Sequence, residues 1–342
     1  MKNEAQQYSL RASTKTYGRE DLANILPLAN PLSIHIDPAS ICNFRCSFCP
    51  TGDPHLIKKT GRAQTMMPMD LYQKIINDID RFKSPIKSLR LYKDGEPLLN
   101  PHLADMVGVA NKLKKTGQIE RIEFTTNGSK LSSDISDRLI ANGLDRIIFS
   151  IEGVSEQKYW EFAKVKIDLK KLIDQIAYFY QQAGDQCHVH IKTISQNLGP
   201  DESQKFFDLF GPHCHQIDIE PVINGWSEFE AFNDKIKPVD LTDYAPVVHK
   251  TICPYLFYSL VVNSDGSVST CCVDWNRKLI IGHTKNQTLQ EIWDGVKMRM
   301  IRQTHIDKGC DSMKQCRNCI QKDFRCEDNI DSIRDQLRQH YC

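Results

Sequence analysis

The chain has 342 residues, 40% hydrophobic and 25% charged, with 44 Lys+Arg against 43 Asp+Glu and a formal net charge of +1. At about 150 residues per domain this length suggests two domains, and the balanced charge leaves no global basic field for nucleic acid. No apolar run approaches the ~18 residues of a membrane span, and the polar N-terminal stretch lacks a signal peptide's apolar core, so a cytoplasmic protein is expected.

Residues 1–32 read as an extension, a tail or cap on the first domain. Short apolar runs at 33–37, 88–93, 121–126, 146–151, 188–194 and 216–221 are bounded by Gly, Pro, Asn or Asp, as buried parallel strands are. Between them, helical spacing predicts helices over 69–82, 101–115, 133–141, 169–182 and 201–210. The last four stop at or near Gly117, Gly143, Gly184 and Gly211, the usual residue past a helix end. That makes six βα units over 33–222, where an eight-unit barrel needs ~250 residues. The expected α/β fold is a partial (βα)6 TIM-like barrel, laterally open. A six-stranded doubly wound sheet is the competitor. Residues 223–250 read as a linker, broken by Gly225, Pro238 and Pro246. From 251 to 342 the pattern predicts a small cysteine-rich α+β domain. In it, strands 255–263 and 268–273 form a hairpin around Ser264-Asp265-Gly266, with helices at 289–302 and 328–340.

Thirteen cysteines in a reducing compartment point to metal or redox chemistry rather than disulfides. Cys42, Cys46 and Cys49 have the spacing C-x3-C-x2-C just after the first strand, on the edge where barrel active sites are built. Three thiolates on one tight loop can hold three irons of a [4Fe–4S] cluster and leave the fourth open, as catalysis at a metal requires. A zinc knuckle with a distant fourth ligand, or three unrelated core cysteines, are the bland alternatives.

With Phe48 before the last cysteine, this motif resembles that of the radical S-adenosylmethionine (SAM) superfamily. The resemblance implies that SAM binds the open iron and is cleaved, after one-electron reduction, to a 5′-deoxyadenosyl radical that takes hydrogen from substrate. Asp94-Gly95-Glu96-Pro97 resembles the family's Gly-Gly-Glu-Pro, with Asp in place of the first Gly. Gly95 and Glu96 would then receive the methionine ammonium. Asn127 in Thr125-Thr126-Asn127-Gly128, Ser150 in Ser150-Ile151-Glu152-Gly153, and Lys192 on the fifth strand fall where relatives contact SAM. Each also has an ordinary reading, as a turn or a solvated charge.

Cys253-x12-Gly266-x4-Cys271 brackets the hairpin, and Cys316 and Cys319 form a C-x2-C pair. Four thiolates make a closed site for zinc or for [4Fe–4S]. The start resembles the SPASM and twitch extensions of radical SAM enzymes, which implies an auxiliary [4Fe–4S] cluster. The order Cys310-x5-Cys316-x2-Cys319-x6-Cys326 departs from the SPASM consensus. One cluster on Cys253, Cys271, Cys316 and Cys319 is therefore favoured over a second that would use Cys310, Cys326 and Cys272 or Cys342. Cys187 and Cys214 read as core residues.

Two clusters suggest a two-electron oxidation, with the auxiliary cluster accepting the second electron, and the resemblance to radical SAM/SPASM-type proteins implies a sugar- or cyclitol-like small molecule as substrate. Potentials of about −700 to +450 mV are open to such sites. A peptide maturase is the rival enzyme, and a non-catalytic Fe–S or zinc protein the rival class. The catalytic base is unassigned among Lys93, Asp94, Glu152 and Glu220. The resemblance implies an electron donor such as flavodoxin or ferredoxin. No nucleic-acid or membrane partner is expected.

Overall fold

The computed structural model describes residues 20–223, 225–226, 229, 248–317 and 319–341. Most of the expected linker and Cys342 lie outside the described residues. The strands are β1 (Ser33–Ile36), β2 (Ser88–Arg90), β3 (Ile122–Thr126), β4 (Arg146–Ile151), β5 (His188–Ile194), β6 (Gln216–Glu220), β7 (Ser259–Val262), β8 (Ser267–Ser269) and β9 (Ile280–His283). They form one sheet in the order β6-β5-β4-β3-β2-β1-β7-β8-β9. Strands β1 to β6 are all parallel and follow chain order. A doubly wound sheet would reverse its order at an internal strand. Here every right-handed crossover steps the same way, which keeps the helices on one face. The partial barrel is therefore the architecture.

The helices are α1 (Leu22–Ile25), α2 (Pro54–Thr60), α3 (Met69–Asp80), α4 (Leu103–Lys115), α5 (Ser133–Ala141), α6 (Glu156–Ala163), α7 (Leu169–Ala183), α8 (Glu202–Phe210), α9 (Tyr255–Tyr258), α10 (Leu289–Trp293), α11 (Val296–Lys308) and α12 (Arg334–Tyr341). None is long and apolar enough to cross a membrane. Ile34, Leu89, Phe124, Ile147 and Val189 on the sheet pack with Ile75, Val107, Leu139 and Ile176 on the helices in one core. Because side chains alternate along a strand, the opposite face is lined by the other set, and that set is polar. Arg90 and Arg121 pair with Glu123 at 2.9 and 3.0 Å. Arg146 reaches His190 at 2.8 Å, and His190 reaches Asp218 at 2.8 Å. The barrel lumen is thus charged rather than filled with aliphatic layers.

The C-terminal hairpin does not stand apart. Strand β7 lies parallel to β1, with Ser33 opposite Ser259 and Ile36 opposite Val262, and β8 and β9 continue antiparallel. The free edge of β1 is thereby closed, as an exposed edge demands. The described part of the extension touches both regions: Leu28 packs against the barrel core and Asn30 bonds Ser84. Leu22 and Leu26 join Ile252, Leu256, Phe257, Ile306, Ile330 and Leu337 in a second core at the C-terminal helices.

Several boundaries move for local reasons. Residues 255–258 form the turn of α9, not strand, because Pro254 already sits at φ −63°, ψ −31°. Strand β8 stops at Ser269, since the Asp274 carboxylate gathers Lys278 N, Leu279 N and the Ser269 hydroxyl into a tight turn. The helix expected over 289–302 breaks at Gly295, where α10, opened by a Thr288/Glu291 capping box, gives way to α11. The terminal helix begins only at Arg334, because Asp331 is taken up by the backbone of Thr251 and Ile252. Helices α1, α2 and α6 and strand β9 carry too short a pattern to be legible in sequence.

Candidate cluster and cofactor site

The cysteine loop leaves β1 and crosses to the far side of the barrel mouth. Arg45 N donates to Ala163 O at 2.8 Å and Ser47 N to Phe162 O at 3.0 Å, while Cys49 N and Gly52 N close turns onto Cys46 O and Cys49 O. A Cβ at Gly52 would collide with the Cys46 carbonyl, so the turn after Cys49 is confined to glycine. All three cysteines are free thiols. Burial pushes Cys42 up to about 12 and raises Cys46 and Cys49, and for Cys42 and Cys46 the other thiols add to the rise. The Cys46 thiol is hydrogen-bonded to Glu152. Burial raises that carboxylate to about 7, against the stabilising bond it accepts from Asn197 at 3.0 Å. Phe48 packs with Phe162, Val222 and Ile194.

The strand ends after β2 and β3 are tied to this loop. Glu96 N donates to Ile41 O at 2.9 Å, and a Cβ on Gly95 would run into the carbonyls of Ala39 and Ile41. The buried Glu96 accepts from Leu98 N and the Thr126 hydroxyl on one oxygen and from Asn127 N on the other, at 2.9, 2.6 and 2.7 Å. These bonds use three of about four acceptor positions of a carboxylate. Asn127 donates to Asn43 Oδ1 at 3.0 Å and accepts from Ser129. Asn43, inside the cysteine motif, was not singled out by sequence. Ser150 on β4 stands in register with Lys192 on β5. Lys192 Nζ meets Glu220 at 3.1 Å, and Arg325 grips the same carboxylate at 3.2 Å. These cations outweigh burial and hold Glu220 down at about 2.

Asp94 occupies a charge cluster the sequence did not reveal. Its side chain, 1% exposed, meets Arg277 at 2.7 Å, Lys93 at 3.0 Å and Arg62 at 3.7 Å. Asp37, at the end of β1, lies beside it. Burial and the Asp94 charge raise Asp37 to about 6. Lys93 also donates to Asp274 O at 3.2 Å, and Arg62 to Trp275 O at 3.4 Å and the Thr51 hydroxyl at 3.0 Å. The cluster joins the cysteine loop to the C-terminal segment. The nearest sequence signal was the Asp that replaces a glycine of the resembled motif.

Cys253, Cys271, Cys316 and Cys319 line one cavity, with His305 and Lys322 at its wall. Burial dominates the rise of Cys253, Cys316 and Cys319; in Cys271 the bond to Cys272 leads. Cys272 does not line this cavity. It faces Arg90 and Lys93 and is lowered to about 7, first by the bond from Cys271. Cys310 donates to Lys250 O at 3.6 Å, and Cys326 lies 3.9 Å from the Tyr258 hydroxyl. Lys250 Nζ binds the carbonyls of Lys322 and Cys326 at 2.7 and 2.8 Å, placing buried cationic charge beside the thiols. Among the described residues no three His, Cys, Asp or Glu close to the spacing of a single-ion site. The corners of a cubane lie farther apart than that. Cys187 is a core residue, and Cys214 packs against the core.

The radical SAM superfamily profile matches residues 36–195. The profile of SPASM, an iron–sulfur cluster-binding domain, matches residues 253–320. The chain belongs to the radical SAM superfamily. A radical SAM domain is followed in it by a C-terminal SPASM domain. GTP 3′,8-cyclase of Clostridium perfringens (strain 13 / Type A) is 24% identical over 190 residues, 54% of each chain. The probable GTP 3′,8-cyclase of Saccharolobus solfataricus is 28% identical over 205 residues, 56% of this chain and 58% of that one. The chain thus spans about half the length of these curated relatives. Among solved structures, BtrN in complex with AdoMet and 2-DOIA has a TM-score of 0.52 at 18% identity, covering 84% of this chain and 92% of BtrN. Streptococcus suis SuiB bound to S-adenosylmethionine has 0.61 at 15%, covering 82% and 69%. The protein anSMEcpe with bound AdoMet has 0.60 at 15%, covering 91% and 96%. At such identities the likeness is one of fold.

Radical SAM and SPASM domains imply a SAM-binding [4Fe–4S] cluster and auxiliary cluster binding, and the residues present suit both. Three thiols free of disulfides sit on a loop whose backbone is already hydrogen-bonded, and burial leaves them reluctant to ionise without a cation. A bound metal removes that cost by deprotonating its thiol ligands outright. The thiols of the second set are likewise buried and free, with Lys322 at the wall of their cavity.

Proposed function

We propose that this radical SAM enzyme dehydrogenates a hydroxylated small molecule, sugar- or cyclitol-like, in the cytoplasm, an oxidation in which the substrate loses two electrons and two protons. One observation carries the reading: four cysteines from three segments of the SPASM region share a single cavity, apart from the three of the barrel loop. When bound, the two clusters and SAM supply a 5′-deoxyadenosyl radical and an acceptor for the substrate's second electron. In this reading Cys42, Cys46 and Cys49 hold the first cluster, and Cys253, Cys271, Cys316 and Cys319 hold one auxiliary cluster. Phe48, Gly95, Glu96, Asn127, Ser150 and Lys192 form the SAM side of the mouth. Glu96 keeps an acceptor position toward an ammonium. Gly95 leaves room for the backbone of the Ala39–Ile41 stretch. Lys192, held by Glu220, offers positive charge beside Ser150. The polar lumen (Arg90, Glu123, Arg146, His190) suits a ligand rich in hydroxyl groups better than an apolar one.

The test is anaerobic. Wild type and the Cys42/Cys46/Cys49→Ala variant are reconstituted, iron is counted, and reduced EPR spectra are recorded. About eight irons in wild type and about four in the variant are expected for [4Fe–4S] sites. About eight retained by the variant would mean two auxiliary clusters. Zinc in place of iron there would remove the basis for an oxidation. Deuterated polyols and aminocyclitols are then screened for transfer of label into 5′-deoxyadenosine. Transfer only from peptides would favour the maturase reading.

A further inference from the structure

A cleft of about 400 Å³ opens beside the cysteine loop. Asn43 and Phe44, which lie between Cys42 and Cys46, form one wall. The turn after β3 and the segment leading into α7 form the others. Lys130, Lys166 and Lys171 line it, Arg45 stands on the loop itself, and Lys164 lies just before Lys166; all five are exposed. Nearby Lys158 and Lys170 are paired with Glu202 and Asp174. Among the described residues none of the five has such a partner. The carboxylate of Asp168 is the acidic group in the lining, and it is occupied in capping the Lys171 N–H at 2.9 Å. On a chain of net charge +1 this is a concentrated positive surface.

Two of these cations sit where local physics disfavours them. Lys171 is in the first turn of α7, which has no acidic residue, and the helix dipole there repels a cation. Lys164 has φ +52°, a conformation favoured by glycine or asparagine at a helix end. Departures from local rules concentrate at functional surfaces.

We propose that this surface docks the protein that reduces the loop's metal centre: a small acidic one-electron carrier of the flavodoxin or ferredoxin type. The inference rests on the reading that Cys42, Cys46 and Cys49 hold a redox cluster. One electron leaves the reduced carrier and enters that centre, and the carrier is oxidised by one electron; no bond is formed or broken. Docking at this cleft places the carrier against Asn43 and Phe44, which stand between Cys42 and Cys46 on the loop. The cations steer the encounter and fix its orientation, an effect that weakens as salt rises.

The experiment uses the full chain, apo and reconstituted, with an acidic flavodoxin and an acidic ferredoxin as probes. Binding is measured by calorimetry at low and physiological salt for wild type, for Lys166→Glu/Lys171→Glu, and for Lys83→Glu/Lys115→Glu as a control of equal charge change. Glutamate at 171 suits the helix N-terminus, so the fold is not put at risk. The expected result is a Kd at least tenfold weaker for the 166/171 variant alone, with a flatter salt dependence. Dithionite-driven formation of 5′-deoxyadenosine should remain unchanged. Equal losses in both variants, or no binding of either carrier to wild type, would overturn the proposal. So would loss of the dithionite-driven reaction or a raised KM for SAM in the 166/171 variant, since the cleft would then serve a small ligand. If the loop binds no iron, the cluster reading fails instead, and the binding measured on apo protein still decides docking.

Discussion

Asp94 replaces a glycine of the resembled Gly-Gly-Glu-Pro motif, and its surroundings explain how the chain tolerates it. Arg62, Lys93 and Arg277 all face its carboxylate within 4 Å, and Asp37 completes the group. Restoring the glycine would leave three buried cations with one carboxylate. Removing one partner of a buried ionic group costs about 3–5 kcal/mol, so Asp94→Gly should lower stability by that order in urea unfolding at pH 7. Asp37 runs the other way. Its folded pKa of about 6 lies above the ordinary 3.8, so its charged form opposes folding above pH 6 and that opposition disappears below 3.8. In Asp94→Gly the Asp37 pKa should fall, as carboxyl NMR titration would show. An Asp37 pKa that stays near 6 would mean burial, not Asp94, holds it up.

Single elements meet the site at two joints. At the first, the turn after β2 passes against the start of the cysteine loop, and only Gly95 fits between the Ala39 and Ile41 carbonyls. Gly95→Ala must push the two segments apart and break the Glu96 N to Ile41 O bond. Lower iron retention after reconstitution and a reduced Tm are expected, and normal values for both would show the joint to be slack. At the second, Glu220 at the end of β6 holds Lys192 and Arg325 together. Its pKa is depressed to about 2, so its stabilisation is complete above the ordinary 4.5 and is lost as pH falls from there through 2. Glu220→Gln should cost about 2–3 kcal/mol at pH 7. The difference from wild type should vanish in unfolding experiments near pH 2.

Over the whole molecule, the barrel and the SPASM region are one hydrogen-bonded sheet. Strand β7 covers β1, and the extension at Leu22 and Leu26 fills a core made by residues from 252 onward. A chain ended at residue 250 would expose the backbone edge of β1 and uncover those leucines. Such an edge templates association, so the shortened chain should aggregate in light scattering and size-exclusion runs. A monodisperse, folded product would show that the barrel stands alone.

Much of this was legible along the chain. The C-x3-C-x2-C loop, the six parallel strands and most barrel helices rest on local spacing, and local spacing is what a sequence displays. Strand order needed the structure, because a doubly wound sheet and a barrel share the same alternation of elements. The pairing of Asp94 with Arg62 and Arg277, the grip of Glu220 on Lys192 and Arg325, and the pairing of β7 with β1 join residues tens to hundreds of positions apart, and no periodicity encodes them. The same holds for the basic cleft. Its cations come from three separate segments on a chain of nearly neutral charge, so sequence alone determined their number, and the fold decided that they stand together beside the cysteine loop.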